Sequence, residues 1–64
     1  MANEALNRWM KEQGITSKEL AESIGRSKSA IDGYRRGVKY PSRVTRVRMR
    51  KLGIPVDKIF EEEE

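Results

Sequence analysis

Apolar residues recur along this chain at helical spacing, in short stretches broken by glycine. After Asn3, the residues Leu6, Trp9, Met10 and Gln13 share one face of a helix, with Asn3 as its cap and Glu4 in the first turn, where the helix dipole favours an anion. Gly14 offers the left-handed stop. Thr16 then reads as an N-cap, with Glu19 three residues on to complete a capping box and Ile15 placed to staple onto Leu20. Leu20, Ala21 and Ile24 form the inward stripe of this second helix, which Gly25 closes. Ser27 caps a third helix that runs to about Arg36, with Ile31 and Tyr34 inward and Gly37 as terminator. Only Gly25 and Arg26 precede that cap, so the second and third helices must cross sharply, as in a helix-turn-helix.

The remainder is less uniform. Tyr40 is held extended by Pro41, and Ser42 caps a fourth segment that reaches Leu52 and stops at Gly53. Val44, Val47 and Leu52 fit the inner face of a helix, whereas Val47, Arg48, Met49 and Arg50 alternate as a strand would. The Ser start and Gly stop bracket a helical length and favour helix. Pro55 opens a last short helix through Val56, Ile59 and Phe60, and Glu61 to Glu64 repel one another and are expected to be disordered. The pattern predicts one all-α domain of about five short helices over residues 1–60, followed by an acidic tail, 61–64.

Length and composition narrow the functions. The 64 residues hold no Cys and no His, which excludes a disulfide framework, a thiolate nucleophile, an imidazole base and a His/Cys zinc site. No catalytic centre, metal, cofactor or small-molecule ligand is expected. No apolar run approaches the ~20 residues needed to span a bilayer, and no signal peptide is legible at the start, so the sequence points to a cytoplasmic protein without a membrane partner.

Charge changes the picture most. Residues 1–25 sum to −1, residues 26–51 carry ten Lys/Arg against Asp32 for +9, and residues 52–64 sum to −4. A basic middle of that density calls for a polyanion as partner.

Residues Ile15 to Gly37 resemble the helix-turn-helix of the phage-repressor and Cro type, the XRE-like family, through Thr16, Glu19, Leu20, Ala21, Ile24, Gly25, Ser27, Ile31 and Gly37. Leu52, Gly53, Ile54, Val56, Asp57, Ile59 and Phe60 are similar to that family's last helix pair, so the likeness spans roughly residues 3–60. The chain departs from the family's pattern at Arg26, where an aliphatic residue is usual. It departs again at Gly33, inside the would-be recognition helix, where glycine costs about 1 kcal/mol relative to alanine.

The resemblance implies a lambda-repressor-like fold and a transcriptional regulator that occupies double-stranded DNA. It also implies that Lys28, Ser29, Asp32 and Gly33 face the bases. Lys28 can donate to guanine O6 and N7, Ser29 can pair with several edges, and Asp32 can accept from cytosine N4 or else pair with Arg35 or Arg36. Phosphate contacts are expected from Ser17 and Lys18 at the start of the second helix, and from Arg35, Arg36, Lys39, Tyr40 and Arg43. About six such contacts would give log K against log salt a slope near −5. Of Arg46, Arg48, Arg50 and Lys51, some must face solvent. Trp9 and Phe60 are expected in the core, and the Val56, Ile59 and Phe60 face either closes the core or forms a weak homodimer on DNA. An RNA-binding module, or an antirepressor or adaptor that binds an acidic protein, would use the same basic middle.

Overall fold

Side-chain caps set the start of four of the five helices. A computed structural model describes residues 2–60 as α1 (Glu4–Gln13), α2 (Ser17–Ile24), α3 (Lys28–Arg36), α4 (Arg43–Lys51) and α5 (Val56–Ile59). Asn3 Oδ1 accepts from Leu6 N at 3.0 Å. Thr16 and Glu19 form the reciprocal capping box at 3.1 and 3.0 Å. Ser27 Oγ accepts from Ala30 N at 3.2 Å and Ser42 Oγ from Thr45 N at 3.3 Å. Each cap satisfies an amide that the helix leaves without an internal acceptor. The fourth segment is therefore helix, and the described residues contain no strand. The acidic tail expected at 61–64 lies outside the described residues.

One core holds these helices together. Leu6 and Met10 of α1, Leu20, Ala21 and Ile24 of α2, Ile31 and Tyr34 of α3, Met49 of α4, and Ile54, Val56, Ile59 and Phe60 are all buried, with Trp9 and Ala30 packed partly against them. The expected core residues of the first three helices are thus inside, and Trp9 sits at the core's edge. Phe60 meets the Tyr34 ring edge-on at 5.9 Å, a favourable aromatic geometry. Val56, Ile59 and Phe60 are buried and close the core.

The inner face of α4 differs from expectation. Val44, Val47 and Leu52 are 63, 40 and 53 % exposed, and Thr45 and Met49 are buried instead. Thr45 can be buried because its hydroxyl bonds to Ser42 Oγ at 3.0 Å. Turning that line inward also sets two arginines where backbone carbonyls await them. Arg48 Nη1 donates to Ile24 O at 3.2 Å, and Arg46 Nη1 donates to Pro41 O at 2.8 Å. Burying the valines would forfeit both.

The turn between α2 and α3 depends on that Arg48 contact. Gly25 adopts φ 69°, a left-handed conformation in which a β-carbon is strained, and a Cβ there would stand 3.0 Å from Arg48 Nη1. Arg48 brings a positive charge to the carbonyl end of α2, which complements the helix dipole, and α4 thereby braces the turn. Among the described residues, no helix is long and apolar enough to cross a membrane.

Candidate nucleic-acid interface

α3 packs on α2 through Ile31 and Tyr34, which turns Lys28, Ser29 and Arg36 outward and leaves Asp32 at the edge of the α2 contact, within reach of Ser17. Lys28, Ser29 and Arg36 are exposed and Asp32 is half-buried. Nine residues would not hold a helix in water alone, so this face exists because the core clamps its back.

The outer face is not a row of independent side chains. Lys28 Nζ lies 2.8 Å from Asp32 Oδ2, four residues on, so Lys28 is the close ion-pair partner of Asp32, and Arg35 adds a weaker attraction at longer range. The Lys28 ammonium, and after it the Ser17 hydroxyl, hold the Asp32 carboxyl below its ordinary value of 3.8. A carboxyl lowered by folding adds stability that is present above the unfolded value and vanishes as pH falls through the lower folded value. The pair is therefore intact throughout the neutral range. Carboxyl-carbon NMR titration is expected to place the Asp32 midpoint below 3.8, and Lys28→Ala to move it upward. An unchanged midpoint in that variant would mean that Lys28 does not hold the carboxylate in solution.

Gly33 corrects the sequence reading. It is buried, and a Cβ there would lie 2.7 Å from Lys39 Cδ and 2.9 Å from Cγ. The aliphatic stem of Lys39 lies across it, while the Gly33 carbonyl accepts from Val38 N and Lys39 N at 3.0 and 3.2 Å. The absent side chain thus makes room for the returning loop, not for a base. Lys39 keeps its ammonium outward, as long cationic side chains do when their methylenes cover apolar surface.

Two of the expected phosphate ligands are likewise used internally. Ser17 is buried, and its hydroxyl accepts from Arg35 Nη1 at 2.8 Å. Arg35 Nε donates to Asn7 Oδ1 at 2.6 Å, and the Arg35 carbonyl accepts from Asn3 N at 2.9 Å. One guanidinium therefore joins α1, α2 and α3. Its planar fork of donors suits that task where a lysine would reach only one acceptor at a time.

Lys18, Arg36, Lys39 and Arg43 remain exposed cations, and Tyr40 is about half exposed. The Tyr40 ring meets Phe60 edge-on at 5.8 Å and carries the Arg46 guanidinium 5.3 Å from its centroid. Arg46 and Arg48, which the sequence left among the solvated candidates, are tied to carbonyls, and Arg50 pairs with Asp57 at 2.9 Å. The partners of Arg46 and Arg48 are 5 and 24 residues away and that of Arg50 lies beyond the end of α4, so the periodicity of α4 gives no hint of them. No family model, no curated protein and no solved structure matches this chain.

Proposed function

We propose that this protein binds double-stranded DNA with sequence preference, with α3 in the major groove, and regulates transcription by occupying its site, in the manner of the repressor and Cro-type proteins that it resembles. The observation that carries this reading is the outer face of α3, where Lys28, Ser29, Asp32 and Arg36 stand clear of the core with Lys39 alongside. A slim element with polar side chains aimed outward is what base-edge readout requires, and cations around it supply the attraction to phosphate. The described domain measures 30 Å along its longest axis, close to the ~34 Å of one duplex turn, so one copy suits one half-site. Two copies on a pseudo-palindromic site would pair through DNA, because the carboxy-terminal apolar face is spent on the core.

Removing Ser17 and Arg35 from the phosphate ligands leaves four exposed cations, Lys18, Arg36, Lys39 and Arg43. The expected slope of log K against log salt is then about −4 per subunit, shallower than the sequence alone suggested. Lys39→Ala is expected to weaken all duplexes alike and to reduce that slope by about one. Titrating a labelled duplex across salt concentrations, with unlabelled duplex, structured RNA and heparin as competitors, tests the reading. Failure to bind duplex in dilute salt, or equal competition by structured RNA, would overturn it.

One observation favours a protein partner instead. Val44 and Val47 are exposed on α4, where Arg43 and Lys51 are exposed cations and no carboxylate is present. An acidic partner with apolar side chains would suit that face, and Val47→Asp would abolish its binding without altering the duplex titration.

A further inference from the structure

The Lys28–Asp32 pair is arranged against the helix that carries it. Lys28 is the first residue of α3, where the dipole disfavours a cation, and the first turn holds no acidic residue. In an i,i+4 pair the acidic member stabilises best on the amino-terminal side, and here it stands on the carboxy-terminal side. Both side chains are substantially exposed, at 64 and 38 %, so burial does not force them together. Helix stability therefore gives no reason for this order. The charges around Asp32 are Lys28, Arg35 and Arg36 on its own helix, with the Ser17 hydroxyl reaching it from α2. Arg35 spends its hydrogen bonds on Asn7 and Ser17 and adds only a longer-range attraction, so Lys28, at 2.8 Å, is the cation that the carboxylate pairs with directly.

We infer that Asp32 is a specificity-determining residue that masks Lys28, so that the two side chains enter the groove as one neutral donor–acceptor unit suited to a G·C base pair. This rests on the DNA-binding reading above and deepens it. An unmasked ammonium at the tip of α3 would bind any phosphate that it met, which adds affinity without selectivity. Paired with Asp32, it gains nothing from a phosphate, because the carboxylate is repelled as the ammonium is attracted. A guanine edge presents acceptors at O6 and N7, and its paired cytosine presents the N4 amino donor beside them. Those groups meet Lys28 and Asp32 in complementary order. At an A·T pair the adenine N6 donor and thymine O4 acceptor reverse that order, and the thymine methyl adds bulk.

Three versions of the full chain test this: the wild type, Asp32→Asn, and the exchange of Lys28→Asp with Asp32→Lys. The first variant keeps shape and removes the masking charge. The exchange keeps an ion pair in the order that a helix prefers, but it sets the ammonium at position 32 beside Ser17 and Arg35, so it is expected to fold and to melt somewhat below the wild type. For each, bound sites are selected from random duplex DNA, affinity for an arbitrary duplex is titrated against salt, and a circular-dichroism melt checks the fold.

Asp32→Asn is expected to bind arbitrary duplex severalfold more tightly, with a salt slope steeper by about one. It should also lose roughly tenfold or more of the preference for G·C at one position of the selected site. The exchange is expected to change the preferred base pair at that position while still melting as a folded protein. An Asp32→Asn protein that binds every duplex more weakly, or one that selects the wild-type site unchanged, would overturn the inference while leaving the DNA-binding reading intact. A wild-type chain that ignores duplex DNA overturns both.

Discussion

Ile31→Ala is expected to destabilise the fold by about 2–5 kcal/mol, the range for emptying a fully buried aliphatic site. Ile31 is 0 % exposed and lies in the core beside Leu20 and Ile24 of α2 and Tyr34 of its own helix. A domain of 64 residues has only about 3–10 kcal/mol in total at ~0.05–0.15 per residue, so this one truncation can remove most of it. Each kcal/mol shifts the melting midpoint of a domain this size by roughly 4–8 °C, and circular-dichroism melts will read the change. Duplex binding should fall with it, because Ile31 is the most deeply buried of the side chains that hold α3 on the core. The comparison is Val44→Ala, expected within ~0.5 kcal/mol of wild type because Val44 faces outward. Equal losses in the two variants would mean that α4 is turned the other way.

The adjacent arginines Arg35 and Arg36 should give opposite results. Arg35→Ala removes two charge-assisted hydrogen bonds, to Asn7 and Ser17, and leaves the buried Ser17 hydroxyl without that donor. Hydrogen bonds to charged groups contribute about 1.5–3 kcal/mol each and do not add in full when they share a guanidinium, so a loss of about 2–4 kcal/mol is expected. Arg36→Ala touches an exposed side chain on the outer face and should leave stability within ~0.5 kcal/mol of wild type. It should instead weaken duplex binding and reduce the salt slope by about one. Urea denaturation and a salt titration on the same pair of variants separate the roles. A larger stability loss for Arg36→Ala than for Arg35→Ala would overturn the assignment of Arg35 to the fold.

That contrast also shows where the sequence was readable. Helix limits were legible because Asn3, Thr16 with Glu19, Ser27 and Ser42 are local signals, each acting over three residues. The outer face of α3 was legible because Ile31 and Tyr34 fix which side is inward. The α4 rotation was not, since side-chain polarity ranks valine above threonine for burial, whereas Ser42 satisfies the Thr45 hydroxyl and removes the cost. Nor was the Asn7–Ser17–Arg35 cluster, whose members come from three helices and leave no periodic trace. Gly33 was expected to face the bases because the Lys39 stem that covers it arrives from a loop. Ser17, Arg35 and Gly33 therefore share one cause: a polar or absent side chain whose partner comes from outside its own helix.

The Asn3 side chain does more than cap α1, since its Nδ2 also donates to the Ile59 carbonyl at 3.0 Å, 56 residues along the chain. This clasp couples the start of the first helix to the end of the last. α5 has four residues and no side-chain cap, too few to persist unaided, so it borrows order from α1. The debt runs both ways, and neither extremity can fray without releasing the other. Opening should then proceed as one concerted event across the molecule instead of peeling inward from a loose end, and amides of α1 and α5 should exchange with solvent at matching rates.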